Sequence, residues 1–162
     1  MENKFYSNMT DFKTFNTEIG NLGLIICYDL DFPYYSNQLS RLGLDTLLVP
    51  SLDWDFIEFH SIELRFRAIE NGFNTVKSTG YGITLTNDYK GRFLSYYQPN
   101  IWEDYFVLST LYKKGKRTLY SYICKYFNYL YLVSFIMLLI LSKWNMNKEI
   151  NNEKTTEKVK IK

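Results

Sequence analysis

Cys27 closes the apolar run Gly23-Leu24-Ile25-Ile26 and is followed by Tyr28-Asp29-Leu30-Asp31-Phe32-Pro33. A thiol in this setting has two readings: a small core hydrophobe, or a nucleophile held at the rim of a sheet. A free thiol has a pKa of about 8.5 and needs a neighbouring base or cation to attack efficiently. The tetrahedral intermediate of acyl transfer carries a negative oxygen that fixed donors must meet. A strand ending in a cysteine, with a tight turn after it, puts sulfur at the edge of a sheet. It also aims the next backbone N–H, that of Tyr28, toward the same oxygen. Other chemistries are less well served. The two cysteines, Cys27 and Cys124, are far apart and form no disulfide framework. Neither they nor the single histidine, His60, build a metal-ligand spacing, so no metal or cofactor is expected. A net charge of +2 provides no strong field for nucleic acid.

The elements that would position Cys27 follow from pattern. Leu22–Cys27 reads as a strand buried on both faces. Pro33 suits the first turn of a helix over Tyr34–Leu42, with Gly43 as its stop. Thr46–Val49 is a second buried strand, closed by Pro50. Phe59, Ile62, Phe66 and Ile69 recur at helical spacing, with Glu58, Glu63, Arg65 and Arg67 interspersed, and mark a helix that Gly72 ends. Strands are expected at Thr75–Thr79, Gly82–Thr86 and Arg92–Tyr97, the last two joined as a hairpin through Asn87–Gly91. Asp104–Leu111 is a final strand candidate. Strand–helix–strand–helix followed by strands argues an α/β sheet with helices packed on it.

The chain divides into a polar segment (1–20), a globular zone (21–114), an apolar segment (118–144) and a charged tail (145–162) expected to be disordered or a frayed helix. No residue from Tyr126 to Ser142 is charged, a length at the short end of the roughly 17–25 residues a membrane span uses. Lys125 and Lys143 flank it, and Tyr126, Tyr129, Tyr131 and Trp144 stand where interfacial aromatic belts form. A buried amphipathic helix is the alternative. The stretch from Lys143 onward carries six lysines against three glutamates, which favours a cytoplasmic tail and an extracytoplasmic globular part. Lys113, Lys114, Lys116 and Arg117 on the other flank weaken that vote. Cys124, at the boundary, reads as an inert lipid-facing thiol, with palmitoylation as the alternative.

The segment "GLIICYDLDFP" resembles the nucleophile segment of the carbon–nitrogen hydrolase (nitrilase) superfamily. Further stretches resemble that family in order: "LLVPSLDWDF", His60 followed by "FRAIENG", and "STGYGITLTNDYKGRF". "KGKRTLYSYICKYFNYLYL" is similar to the stretch leading into the last membrane helix of the apolipoprotein N-acyltransferase branch. The resemblance implies the C-terminal half of a nitrilase-type α-β-β-α sandwich followed by one transmembrane helix.

It also implies site roles. Cys27 is the nucleophile, Tyr28 the backbone oxyanion donor and Asp29 a hydrogen-bonding support. Trp54 and Phe56 line a substrate entrance. His60, Arg67, Glu70 and Asn71 brace the site, with Asp29 or Glu70 as the carboxylate partner of Arg67. Ile83 stands where many family members carry Ser or Thr. The family's general-base glutamate and oxyanion lysine both lie well N-terminal of the cysteine, and only 26 residues precede Cys27 here. Glu2, Lys4 and Lys13 do not match those positions. The chain is therefore expected to be part of a longer enzyme, or to be completed by a second polypeptide. In the complete enzyme an acyl group would pass from a membrane phospholipid to a lipoprotein N-terminal amine through a Cys27 thioester. Alternatives are a membrane-tethered amidase acting on a small amide, and an inactive truncated remnant. Half of such a sandwich should expose a sheet edge and an apolar helix face.

Overall fold

The computed structural model describes residues 12–53, 57–98 and 105–160, with side chains as far as residue 148. Strands β1 (Thr14–Thr17), β2 (Gly20–Leu24), β3 (Thr46–Ser51), β4 (Asn74–Thr79), β5 (Thr84–Asn87) and β6 (Phe93–Tyr97) form one sheet in sequence order. β2, β3 and β4 are parallel; β1, β5 and β6 add antiparallel strands at the two sides. The parallel strands are joined by helices α1 (Pro33–Arg41) and α2 (Ile57–Asn71). This is the connection parallel pairing requires, since a hairpin cannot reverse direction twice.

Strand alternation sorts the two faces of the sheet. The row Gly23, Leu47, Thr75, Asn87 lies on one face, and Leu24, Leu48, Val76, Thr86 on the other. The first face is covered. Ile25, Leu47, Val49 and Leu85 join Leu39, Leu44, Leu64 and Phe73 in a single core. On the second face Leu24 is 49% exposed, and Pro50 and Ser78 are open. The strand expected to be buried on both faces is thus covered on one only. It is also shorter than expected. Regular pairing ends at Leu24, Ile25 N–H still donates to Leu48 O (3.1 Å), and Cys27 opens a 3-10 turn, Cys27–Asp31.

The apolar stripe on α2 faces outward. Phe59, Ile62, Phe66 and Ile69 are 43–62% exposed, whereas Ser61, Leu64, Arg67, Ala68 and Asn71 face the core. The helix carries two stripes, and the smaller, more polar one turns inward. Ala68 lets the helix pack closely, Arg67 donates to Leu30 O of the Cys27 turn, and Asn71 donates back to Arg67 O of its own helix. A shallow groove of about 280 Å³ runs along the outer face between Phe59, Ile62, Phe66 and the aliphatic parts of Glu63, Arg67 and Glu70.

The final strand candidate is corrected as well. Asp104 lies outside the described residues, and 105–111 make no strand; Phe106 and Leu108 are almost fully exposed. The chain falls into two units, the first ending at Tyr122 and the second beginning at Ile123. α3 (Leu119–Ile123) lies at the end of the first unit, and in the second a 3-10 turn, Cys124–Tyr126, precedes α4 (Phe127–Lys160). α4 runs past Trp144 into the charged stretch, which takes the helical of its two expected forms rather than the disordered one. By length and composition the helical stretch Leu119–Lys148, of mean hydropathy 1.7, is able to cross a bilayer.

Candidate active site

Cys27 is half-buried beyond the carboxyl end of β2, at the rim where the parallel strands end. Its φ of +47° makes it the only non-glycine residue with positive φ among the described residues. This left-handed conformation is disfavoured for a side chain with a Cβ and persists only where the surroundings impose it. The surroundings here are Asp29 and Arg67. Asp29 Oδ2 accepts the Ile26 N–H (3.0 Å) while Asp29 N–H donates to Ile26 O (2.9 Å), so one residue ties both sides of the bend. Arg67, reaching from α2, donates through Nε to Leu30 O (3.1 Å) and holds the turn from below. Tyr28 follows Cys27 with its ring exposed, edge-on to Phe32 at 5.5 Å.

The guanidinium of Arg67 is buried and fully engaged. It pairs with Glu63 (2.7 Å) and Glu70 (2.8 Å) on its own helix. Of the two carboxylates expected for it, Glu70 is a partner, and Asp29 is instead bonded to the Ile26 backbone. Burial pushes the Glu63 carboxyl above its ordinary 4.5, a hydrogen bond with Asp31 pushes it further, and the Arg67 charge opposes both. Asp31 ends the Cys27 turn, so the same charge cluster grips that turn at Leu30 and at Asp31.

His60 lies between two carboxylates, with Nε2 3.9 Å from Asp31 and Nδ1 3.5 Å from Asp53. Asp53 in turn forms an ion pair with Lys77 of β4, and both side chains are 1% exposed. Asn71 donates to Arg67 O (3.1 Å), and its carbonyl accepts from Ser40 of α1 (3.2 Å). Glu70 O accepts from Thr118 Oγ1. Ile83 is buried, and the adjacent Thr84 hydroxyl accepts from Thr79 N–H (3.2 Å) and meets Tyr105 Oη (2.6 Å).

The structure therefore gathers Cys27, Asp29, His60, Arg67, Glu70 and Asn71 around one turn and the helix beneath it. Trp54, Phe56, Glu2 and Lys4 lie outside the described residues, and Lys13 is exposed. Glu63, Asp53 and Lys77 went unnoticed at the sequence level. One signal was present: Lys77 alternates with Thr75 and Thr79 on the covered face of a strand, and a buried lysine demands a carboxylate. Among the described residues no carboxylate or ammonium hydrogen-bonds to the Cys27 thiol. The arrangement fixes the backbone of Cys27 at the rim of the sheet.

The family profile described as carbon-nitrogen hydrolase matches residues 1–120. The chain belongs to this family. Relatives of the carbon-nitrogen hydrolase chain include a deaminated glutathione amidase of Synechocystis sp., 46% identical over 54 residues (32% of this chain, 20% of that protein). Apolipoprotein N-acyltransferase 1 of Treponema denticola is 24% identical over 152 residues (89% of this chain, 27% of that protein). Among solved structures, an amidase from Nesterenkonia sp. AN1 is similar with a TM-score of 0.53 at 23% identity, covering 58% of this chain and 40% of that one. That structure carries the acetamide moiety of fluoroacetamide added covalently at its active-site cysteine. The mixed α/β sheet is thus of nitrilase type. The chain spans between a fifth and two fifths of the length of these proteins.

Proposed function

We propose that this chain is the nucleophile-bearing part of an apolipoprotein N-acyltransferase-like enzyme anchored in a membrane by the helix that begins near Leu119. The observation that carries the reading is the strained backbone of Cys27, held by Asp29 and Arg67 at the carboxyl end of the parallel strands. That rim is where open α/β sheets place their ligands. Cys27 Sγ attacks the acyl carbonyl of a phospholipid, the C–S bond forms, and the glycerol oxygen leaves with a proton. An N-terminal amine then attacks the thioester, the C–N bond forms, and the thiol is released. Tyr28 N–H faces the oxyanion, and Asp29 supports the turn. The base and the oxyanion cation come from another part of the fold, on a longer chain or a second polypeptide that also covers the open sheet face. The globular unit is extracytoplasmic and the tail cytoplasmic.

The test is intact-mass analysis of the full chain in phospholipid vesicles, alone and with the glutamate- and lysine-bearing half supplied as a second polypeptide. An acyl adduct on Cys27 is expected only in the second case, and none with Cys27→Ala. Acylation of the chain alone, or of Cys27→Ala, overturns the reading.

A second reading, hydrolysis of a small amide from the aqueous side, is favoured by one observation. Cys27 lies at the carboxyl end of the sheet, while the segment leading toward the apolar helix packs at the amino end, against Gly20, Asp45 and Asn74. Turnover of short aliphatic amides by the completed enzyme, with no acyl transfer from phospholipid, selects it.

A further inference from the structure

Residues 112–118 contain four cations within five positions, Lys113, Lys114, Lys116 and Arg117, and no acidic residue occurs between Asp104 and Glu149. All four are exposed, and among the described residues none forms an ion pair with a carboxylate. Such a run is ordinarily a solvated, flexible linker. Here its backbone is pinned along the amino ends of the parallel strands.

Tyr112 O accepts from Asn74 Nδ2 (2.8 Å), Gly115 N–H donates to Asp45 Oδ1 (3.1 Å) and Lys116 N–H donates to Gly72 O (2.5 Å). Thr118 Oγ1 donates to Glu70 O. Two glycines make the approach possible. Gly72 sits at φ +76° and Gly20 at φ +125°, and a Cβ at either would overlap the carbonyl of Lys116 or Lys113. The carboxylate that receives this backbone, Asp45, is occupied on both oxygens, by Gly115 N–H and by Asn21 N–H (2.8 Å). Its charge is therefore engaged by backbone donors and leaves the four basic side chains free to face outward. Arg117 is steadied by the Tyr122 ring, 4.4 Å from its guanidinium carbon.

We infer that this pinned basic strap is a docking surface for the anionic phospholipid headgroups of the membrane that the following helix enters. The chain net charge of +2 argues against nucleic acid as the occupant, and continuity in sequence with the apolar stretch argues for a bilayer. Each cation held near an anionic membrane surface multiplies affinity about fivefold. A strap already ordered by the fold loses little further entropy on docking. The inference rests on the membrane anchor proposed above and is independent of any chemistry at Cys27.

The test is native mass spectrometry of the full chain in mild detergent with equal phosphatidylglycerol and phosphatidylcholine. Retained phosphatidylglycerol is expected to exceed phosphatidylcholine by about tenfold. The preference should vanish in the Lys113→Gln/Lys114→Gln/Lys116→Gln/Arg117→Gln variant and survive in Lys143→Gln/Lys148→Gln. Raising salt tenfold on the unaltered chain, which requires no variant to fold, should also abolish it. No preference in the unaltered chain, a preference indifferent to the strap substitutions, or one lost through the Lys143 and Lys148 substitutions overturns the inference. Failure of the anchor itself shows separately, as release of the chain from vesicles by alkaline carbonate.

Discussion

Lys77 and Asp53 form an ion pair in which each side chain is 1% exposed, linking the middle of β4 to the residue that follows β3 by two positions. Asp53 also meets His60, His60 meets Asp31, and Asp31 ends the turn that Cys27 begins. One charged chain thus runs from the sheet interior to the Cys27 turn.

Removing one member of this pair leaves the other charge buried and unmatched. Lys77→Met should cost about 3–5 kcal/mol in denaturant unfolding. Replacing both, Lys77→Met with Asp53→Leu, should recover at least half of that loss, because no charge remains to desolvate. Equal or additive losses in the double variant would falsify the buried-pair account.

The backbone of Cys27 supplies a different prediction. At φ +47° a residue with a Cβ bears a penalty of about 1–2 kcal/mol that glycine does not. Cys27→Gly should be at least as stable as the unaltered chain, and Cys27→Val, with its branched Cβ, clearly less. Thermal unfolding of the three proteins gives the order; a Cys27→Val protein as stable as the unaltered chain contradicts the strain.

On α2 the burial pattern reverses the ranking that hydrophobicity alone assigns. Leu64→Ala should cost about 2–5 kcal/mol, since Leu64 is wholly buried. Phe66→Ser, on the outer stripe, should cost less than about 1 kcal/mol, since Phe66 is 55% exposed. A larger loss at Phe66 than at Leu64, measured by chemical denaturation, would mean the helix is rotated.

Asp88 predicts an acid response. Burial acts to raise its pKa, but the backbone N–H of Arg92, the Arg92 side chain and the Lys90 N–H outweigh it, leaving the carboxyl below its ordinary 3.8. A depressed folded pKa means stability that is full above the unfolded value and lost as pH falls through the folded one. Glu63 acts in the opposite sense and in another window. Its raised pKa makes the folded state gain stability as pH falls toward 4.5, below which both states are protonated. Asp88→Asn should therefore destabilise at neutral pH by about 1.5–3 kcal/mol, with the gap to the unaltered chain closing only below pH 3.8. A pH-independent gap disproves the assignment.

Much of this protein was legible in the chain itself. The apolar run before Cys27, Pro33 at a helix start, Gly72 at a helix end and the turn residues Asn87–Gly91 each encode their local structure through short-range sterics and hydrogen bonding. The order of elements followed from them. The family was readable because the stretches around Cys27, His60 and Gly82 follow one another in the family's order. What the sequence could not decide is which side of an element meets which neighbour. Periodicity finds a stripe on α2 but not its direction. Arg67 faces inward because Leu30 O on the Cys27 turn awaits it, and that partner is remote in sequence. The pairing of Lys77 with Asp53, and the pinning of 112–118 against Gly20, Asp45 and Gly72, arise only when distant segments meet. There burial turns an ordinary lysine into a charge that must be matched, and a basic linker into an ordered surface.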